Sequence, residues 1–277
     1  MQVRKAIILA GGKGTRLYPV TLETPKPLLT VNKKPIINYL VEMFKEHGVE
    51  EIAVTVRKDD LEDFSWWLRR YQNDLGGVWV NPHTTTNSVQ KSSAERSKNS
   101  FGVGINLIVE EEPMGTIGLW AHQLHTWTGD EPFFLTNGDE LKDVNLSEMA
   151  EHHQKVGGLA TIAAVEVLNP HEYGVLVFSA GGGSPGGGDG SLVEGFLEKP
   201  ENPPSNYISS GLYLVNPKAR EYLLEDMAAG KKFLMIEKDL FPKLAAERKL
   251  AAYKSSGKWF DCGNLERWEK AIKEWES

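Results

Sequence analysis

Residues 8–29 read ILAGGKGTRLYPVTLETPKPLL. Gly11, Gly12 and Gly14 stand beside Lys13 and Arg16, and ten residues after the arginine Lys26 lies between Pro25 and Pro27. A glycine turn lets backbone N–H groups approach an anion that Cβ atoms would hold off. Thr15 adds a hydroxyl and Arg16 a planar, two-pronged donor. The flanking prolines restrict the backbone that carries the Lys26 ammonium. The chemistry indicated is recognition of a small phosphate. A P-loop is excluded: it needs Ser or Thr directly after its lysine and a glycine five residues before it, whereas Gly14 follows Lys13 and Ile8 stands five before. A dinucleotide fingerprint fits poorly. Its third glycine position holds Leu17, and the second strand ends Thr55-Val56-Arg57 with no acidic residue. An ordinary strand-to-helix turn with solvated cations is the remaining alternative.

Carboxylates that could join such a site follow two short apolar runs. Asp139 closes Asn137-Gly138-Asp139 after Pro132–Thr136, and Asp261 lies in Trp259-Phe260-Asp261-Cys262-Gly263. A carboxylate at the carboxyl end of a strand sits where open α/β sheets bind ligands. Mg²⁺ needs only one or two such oxygens when phosphates and water complete its shell. The alternatives are an Asx turn at Asp139 and a helix N-cap near Asp261, with Glu140 a surface or cap residue. Glu198-Lys199-Pro200 ends another strand, read otherwise as an exposed charged pair. Pro113-Met114-Gly115-Thr116 opens a helix, where free N–H donors and a missing Cβ leave room for a flat base, or where a simple cap sits. The seven histidines show no metal-ligand spacing; His122, His125, His152 and His153 read as helix surface. Trp66-Trp67 reads as a candidate interface patch.

Alternating elements must position these groups. Strands are expected at 4–10, 51–56, 105–110 and 132–136, separated by helices at 36–47, 59–71 and 115–126, a βαβ succession. The second half adds strands at 159–166, 174–179, 192–198, 207–215 and 250–254, and helices at 146–155, 217–229, 236–247 and 264–275. In the last helix Leu265, Trp268, Ile272 and Trp275 form the expected core stripe. Polar residues 81–101 read as a long loop, and GGGSPGGGDG at 181–190 as a flexible link. The fold expected is α/β, a Rossmann-like three-layer sandwich with a mixed, mainly parallel central sheet. A single domain is expected to cover 1–277, with halves at about 1–140 and about 141–277.

The chain has 277 residues, 31 Lys and Arg against 38 Asp and Glu, and a net charge of −7. That balance speaks against a nucleic-acid partner, since such a partner needs basic residues to displace its counterions. It leaves room for a local cationic cleft. Cys262 is the one cysteine, which fits a reducing compartment. Without a signal pattern or an apolar run of about 20 residues, the expectation is a cytoplasmic protein with no membrane partner.

LAGGKGTRLYPVTLETPKPLL closely resembles the signature of sugar-1-phosphate nucleotidylyltransferases, or nucleotide-sugar pyrophosphorylases: L-A-G-G-x-G-T-R-L-x-P-x-T followed by P-K-P-L. The likeness continues through KKPIINYLVEMFKEHGVEEIAV, VEEEPMGTIG, FFLTNGDEL, FLEKP and WFDCGNLERWEKA. It implies that an NTP and a sugar 1-phosphate become an NDP-sugar and pyrophosphate, with Mg²⁺ held by Asp139 and Asp261. Arg16 would hold the leaving phosphates, Lys26 the α-phosphate and Lys199 the incoming phosphate. Nucleotide contacts are implied at Leu9, Ala10, Gly11, Gly12, Gly14, Thr15, Gly115, Thr116, Asn137 and Gly138. Sugar-phosphate contacts are implied at Gly174, Glu198, Lys199, Ser210 and Gly211, although Ser209 stands where the family usually has asparagine. On this likeness Asp139→Asn or Lys26→Ala should slow turnover by orders of magnitude with the fold intact. EEEPMGTIG resembles mannose-1-phosphate guanylyltransferases most. Glucose 1-phosphate with UTP, TTP or CTP stays open, as do a non-catalytic NDP-sugar sensor and a homo-oligomer. A glycosyltransferase would usually show Asp-x-Asp, which Asn137-Gly138-Asp139 lacks. Relatives with this segment often continue into a left-handed β-helix, which is not expected here because the sequence stops at Ser277.

Overall fold

The computed structural model describes residues 1–71, 79–80, 103–178 and 192–275. The expected loops at 81–101 and 181–190 lie outside the described residues. Two compact units are each assembled from separated segments: a first from Arg4–Pro113, Thr136–Lys142 and Phe260–Ser277, a second from Met1–Val3, Met114–Leu135 and Asp143–Trp259. The fold is α/β with a mixed, mainly parallel sheet and helices packed on it.

In the first unit β1 (Lys5–Leu9), β4 (Glu51–Arg57), β6 (Gly104–Glu110) and β5 (Trp79–Val80) lie side by side in that order, all parallel. Ala6, Ile7 and Ile8 and the whole of Ile52–Val56 are buried. Unbroken apolar runs of this kind belong to strands covered on both faces. Helix α2 (Ile36–Glu46) buries Ile36, Ile37, Leu40, Val41 and Phe44, a helical stripe. Helix α3 (Leu61–Tyr71) follows one tighter turn at Lys58–Asp60 and buries Phe64, Trp67 and Leu68. The two tryptophans do not form one patch. Trp67 is buried and donates its indole N–H to Asn38 Oδ1 at 2.7 Å, while Trp66 points outward.

Short elements in this unit escaped the sequence reading. A hairpin joins β2 (Thr30–Val31) to β3 (Lys34–Pro35) through Asn32 and Lys33, both at positive φ, the backbone that a tight two-residue turn demands. After α1 (Val20–Glu23), two further segments carry acidic residues: β8 (Glu140–Lys142) pairs with β14 (Trp259–Asp261). Helix α9 (Leu265–Glu274) is capped by Asn264, whose Oδ1 accepts the Arg267 N–H at 2.9 Å. Asp261 is therefore not its N-cap. The core face of α9 also differs from expectation. Trp268, Ala271 and Trp275 pack on Leu17, Leu29 and Val31, whereas Leu265 and Ile272 remain half-exposed.

In the second unit β9 (Ala160–Glu166) runs between β12 (Tyr207–Val215), antiparallel to it, and β13 (Leu250–Lys254), parallel to it. Strand β10 (Gly174–Phe178) pairs antiparallel with β11 (Val193–Glu198) and with β12. Strand β7 (Phe133–Asn137) pairs with β12, and its last two residues belong to the first unit. The helix expected over 115–126 is not uniform: α4 (Gly115–Leu119) passes through a wider π-type stretch at Trp120–Leu124 into α5 (His125–Thr128). Residues 217–229 begin as a tight turn, Pro217–Leu223, before α7 (Leu224–Ala228). Residues 236–247 begin as a π-type stretch, Ile236–Leu240, before α8 (Phe241–Ala246), where Pro242 has no N–H to offer. No described helix is long and apolar enough to cross a membrane.

Helix α6 (Leu146–Val156) turns His153 inward rather than to the surface, with Nδ1 2.8 Å from Thr161 Oγ1. Burial, aided by His152, pushes its pKa from 6.5 down to about 4. The unfolded chain thus binds this proton more readily. The resulting stability is complete above pH 6.5 and is lost as pH falls through 4, a difference of about 3 kcal/mol. Thermal unfolding of the wild type between pH 7 and pH 4.5 should show a steeper fall in Tm than that of His153→Gln. Parallel curves would remove His153 from the acid response.

Candidate active site

The glycine loop leaves the end of β1 in the first unit. Ala10 donates its N–H to Thr55 O at 2.9 Å and is buried. A Cβ on Gly11 would lie 2.8 Å from Glu110 Oε2, whereas one on Gly12 would meet nothing within 4 Å. Gly14 has φ 62°, and its carbonyl accepts both the Leu17 N–H and the Thr21 hydroxyl. The short turn Thr15–Leu17 then buries Leu17 and leaves Thr15 and Arg16 facing out. Gly138 donates its N–H to Leu9 O at 2.9 Å, and a side chain there would meet that oxygen. Asn137-Gly138-Asp139 is thereby held against the start of the loop.

The tight turn Lys26–Leu28 carries Lys26 into the interior, its side chain 6% exposed. Its Nζ lies 2.6 Å from Asp139 Oδ2 and 4.0 Å from Asp261 Oδ1. The other Asp261 oxygen pairs with Arg267 Nη1. Gly263 closes the group: a Cβ there would lie 2.7 Å from Asp261 Oδ1 and 3.2 Å from Arg16 Nη2. Arg16, Lys26, Asp139 and Asp261 thus gather in one centre, with Arg267 added.

Electrostatics follow from this crowding. Burial works against the Lys26 ammonium, but the charge and hydrogen bond of Asp139, with Asp261 and Glu140, outweigh it and hold its pKa above 10.5. Burial raises the Asp261 pKa, Glu140 and Asp139 add to the rise, and Lys26 and Arg16 oppose it. Burial lowers the Arg267 pKa, and the neighbouring Arg16 charge adds to that. The Cys262 thiol is buried and pushed up to about 12, so it stays protonated and is not a nucleophile. Glu140 is not the surface residue expected. It accepts Asn137 Nδ2 at 3.0 Å and Lys142 Nζ at 3.0 Å, and the fully buried Lys142 also donates to Thr136 Oγ1 at 3.1 Å.

The remaining expected residues belong to the second unit. Gly174 and Glu198 face each other across β10 and β11, and the Phe196 ring occupies the space a Gly174 side chain would need. Lys199 has φ 48° and donates its N–H to Tyr173 O at 3.1 Å. Ser210 is buried, with its hydroxyl donating to Ala163 O at 2.7 Å, so that side chain is committed to the sheet. Ser209 lies one residue away on the alternate side, accepting the Gly211 N–H and donating to the Tyr213 hydroxyl. The register is irregular between Ser209 and Tyr213, and Gly211 has φ 65°. Gly115, at φ 76°, is required by packing, because a Cβ would lie 2.4 Å from Leu234 O. Thr116 accepts the Ile236 N–H at 2.8 Å and donates to Glu237 Oε2 at 3.0 Å.

The nucleotidyl transferase family model matches residues 5–277. The chain belongs to this family. It is 34% identical over 260 residues to mannose-1-phosphate guanyltransferase 2 of Candida glabrata, covering 94% of this chain and 61% of that protein. It is 33% identical over 261 residues to mannose-1-phosphate guanylyltransferase catalytic subunit beta of Xenopus tropicalis, with the same coverage. The chain spans about three-fifths of the length of these curated relatives. In three dimensions it is similar to a UDP-glucose pyrophosphorylase solved with UDP-glucose, with a TM-score of 0.74, 23% identity and 99% of each chain covered.

Among the described residues, no group of three or more His, Cys, Asp or Glu is arranged to hold a metal ion. Asp139 and Asp261 nonetheless aim an oxygen each at the Lys26 ammonium. Two hard oxygen donors converging on a cationic position fit Mg²⁺, whose other positions phosphate and water supply. Sequence reasoning did not find Arg267, Lys142 or Glu237. The signal for Arg267 was its place in the first turn of a helix six residues after Asp261. Glu237 lies in Leu234–Leu240 beside Lys238 and a second acid, Asp239, so nothing singled it out, and nothing singled out Lys142.

Proposed function

We propose that the chain transfers a nucleotidyl group from an NTP to a sugar 1-phosphate and releases pyrophosphate, with GTP and mannose 1-phosphate as the favoured pair. The observation that carries this reading is the meeting of Lys26, Asp139 and Asp261 at the glycine loop, with Arg16 beside them. The names of the relatives support the choice of base and sugar. The lone, buried Cys262 accords with a reducing, cytoplasmic setting.

An oxygen of the sugar phosphate attacks the α-phosphorus, and pyrophosphate leaves from the opposite side. That oxygen is already anionic near neutral pH, so no residue need remove a proton. The barrier lies in bringing two polyanions together, and the chain meets it by positioning and charge neutralisation. Lys26 is assigned to the α-phosphate, Arg16 to the leaving phosphates, and Lys199 to the incoming phosphate. Asp139 and Asp261 would hold Mg²⁺, which supplies positive charge shared by the phosphates. Loop N–H groups from Gly11 to Thr15 orient the triphosphate.

A pyrophosphate-release screen of each common NTP against each common sugar 1-phosphate tests this. Release with GTP and mannose 1-phosphate above all other pairs is the expected result, and release with no pair overturns the reading. Gly12→Ala separates ligand contact from folding. Its Cβ meets nothing, so Tm should stay within about 1 °C of wild type. The KM for NTP should still rise about tenfold, because the added methyl stands where phosphate would approach. An unchanged KM would remove Gly12 from the nucleotide site.

A further inference from the structure

Glu237 is a partly buried carboxylate that the proposed chemistry leaves unused. It sits in the second unit, in the π-type stretch before α8, and each of its oxygens accepts one hydroxyl. Oε2 accepts from Thr116 at 3.0 Å and Oε1 from Tyr213 at 3.2 Å. The two donors come from different elements. Thr116 is the second residue of α4 and is tied back by the Ile236 N–H. Tyr213 is on β12 at the far side of the irregularity containing Gly211, and its hydroxyl also accepts from Ser209 at 3.3 Å. A fold does not need a carboxylate here. Burial disfavours its charge, the Glu198 charge disfavours it further, and both raise its pKa. An amide would fill the same space without a charge, but it has one acceptor oxygen for the two hydroxyls.

We propose that Glu237 is a positioning residue that couples the start of α4, expected to face the nucleotide, to the Gly211 irregularity of β12, expected to face the sugar. This rests on the proposed nucleotidyl transfer. The start of α4 is held by one arm and the irregular strand by the other, so each arm governs one substrate and the carboxylate governs both. A residue needed only for folding would change the amount of active protein and leave both KM values alone.

Three variants of the full chain separate these cases. Tyr213→Phe removes one arm and should raise the KM for mannose 1-phosphate about tenfold with the KM for GTP unchanged. Thr116→Val removes the other and should do the reverse. Glu237→Gln keeps the shape and one acceptor oxygen but presents N–H donors to a second hydroxyl, and should raise both KM values, with kcat within about threefold of wild type. The inference is overturned if Glu237→Gln leaves both KM values within about twofold of wild type while lowering Tm, the mark of a folding brace. If the wild type releases no pyrophosphate from any pair, the transfer reading fails on its own. Calorimetric binding of GDP-mannose then tests the coupling: about tenfold weaker binding by Glu237→Gln upholds it, and equal binding overturns it.

Discussion

Lys26→Met should lower pyrophosphate release about a thousandfold or more, lower stability by about 3 kcal/mol, and leave a protein that binds Mg²⁺ more tightly than wild type. The three effects share one cause. The Lys26 ammonium is buried between two carboxylates, 2.6 Å from one and 4.0 Å from the other, with Glu140 also within electrostatic reach. Deleting it removes the charge assigned to the α-phosphate. It also takes the ammonium from between Asp139 and Asp261, leaving Asp261, only 11% exposed, with Arg267 as its remaining ion-pair partner. Uncompensated buried charge is the expensive part of breaking such a pair. The fold expected to stay intact in a Lys26 variant should do so at reduced stability, because this side chain is 6% exposed. In the variant no ammonium competes for the two carboxylates, so a divalent cation gains affinity and recovers stability in proportion to its binding. Unfolding followed with and without MgCl₂ checks this: the variant should melt roughly 5–10 °C below wild type without the salt and regain more of that with it than wild type gains. A variant with wild-type Tm and no response to MgCl₂ would mean that the carboxylates do not converge on this position.

What could be read from sequence follows the length over which a pattern repeats. The strands β1, β4, β6, β9 and β12 are each five or more residues long and contain runs of apolar side chains, and their positions emerge from that pattern. Strands β2, β3, β8 and β14 have two or three residues each, too few for any period to show, yet β8 and β14 are what bring Asp139 and Asp261 into neighbouring positions. The grouping of Arg16, Lys26, Asp139 and Asp261 was legible because their motifs resemble a family signature, not because spacing in one chain forces distant residues together. Ser210 shows where that route stops. Strand parity around an irregular register decides which serine faces outward, and no local pattern announces the irregularity at Gly211. Lys142 and Glu237 failed for another reason. Charged side chains are read as surface by default, and only the fold reveals the partners that let Lys142 lie inside and Glu237 lie partly so.

Gly115→Ala should lower stability by about 3 kcal/mol or more, against about 1–2 kcal/mol for Gly157→Ala, and the comparison divides the cost into its parts. Both glycines have positive φ, 76° at Gly115 and 74° at Gly157. An L residue meets left-handed strain at either position, worth about 1–2 kcal/mol. Their surroundings differ. A Cβ at Gly157 meets nothing within 4 Å, while one at Gly115 would overlap the Leu234 carbonyl at 2.4 Å. That carbonyl accepts the Ile117 N–H at 3.1 Å, and the Leu234 N–H in turn donates to Met114 O at 2.9 Å. The methyl group therefore cannot be accommodated by rotating a side chain; the backbone of 232–234 must retreat and loosen both hydrogen bonds. Gly118 faces the same segment, with Lys232 O 2.7 Å from its virtual Cβ, so retreat at one glycine relaxes contact at the other. Denaturant unfolding of the two variants checks the difference. Equal losses would mean that only backbone strain matters and that the close approach of 232–234 to α4 contributes nothing. A larger loss at Gly115 would mean that this glycine is retained for helix packing. It would also carry a consequence for binding, since Ile236 and Glu237 follow directly on the displaced segment and hold the Thr116 hydroxyl. The folded fraction of Gly115→Ala should then show a raised KM for NTP even though no group assigned to the phosphates has been removed.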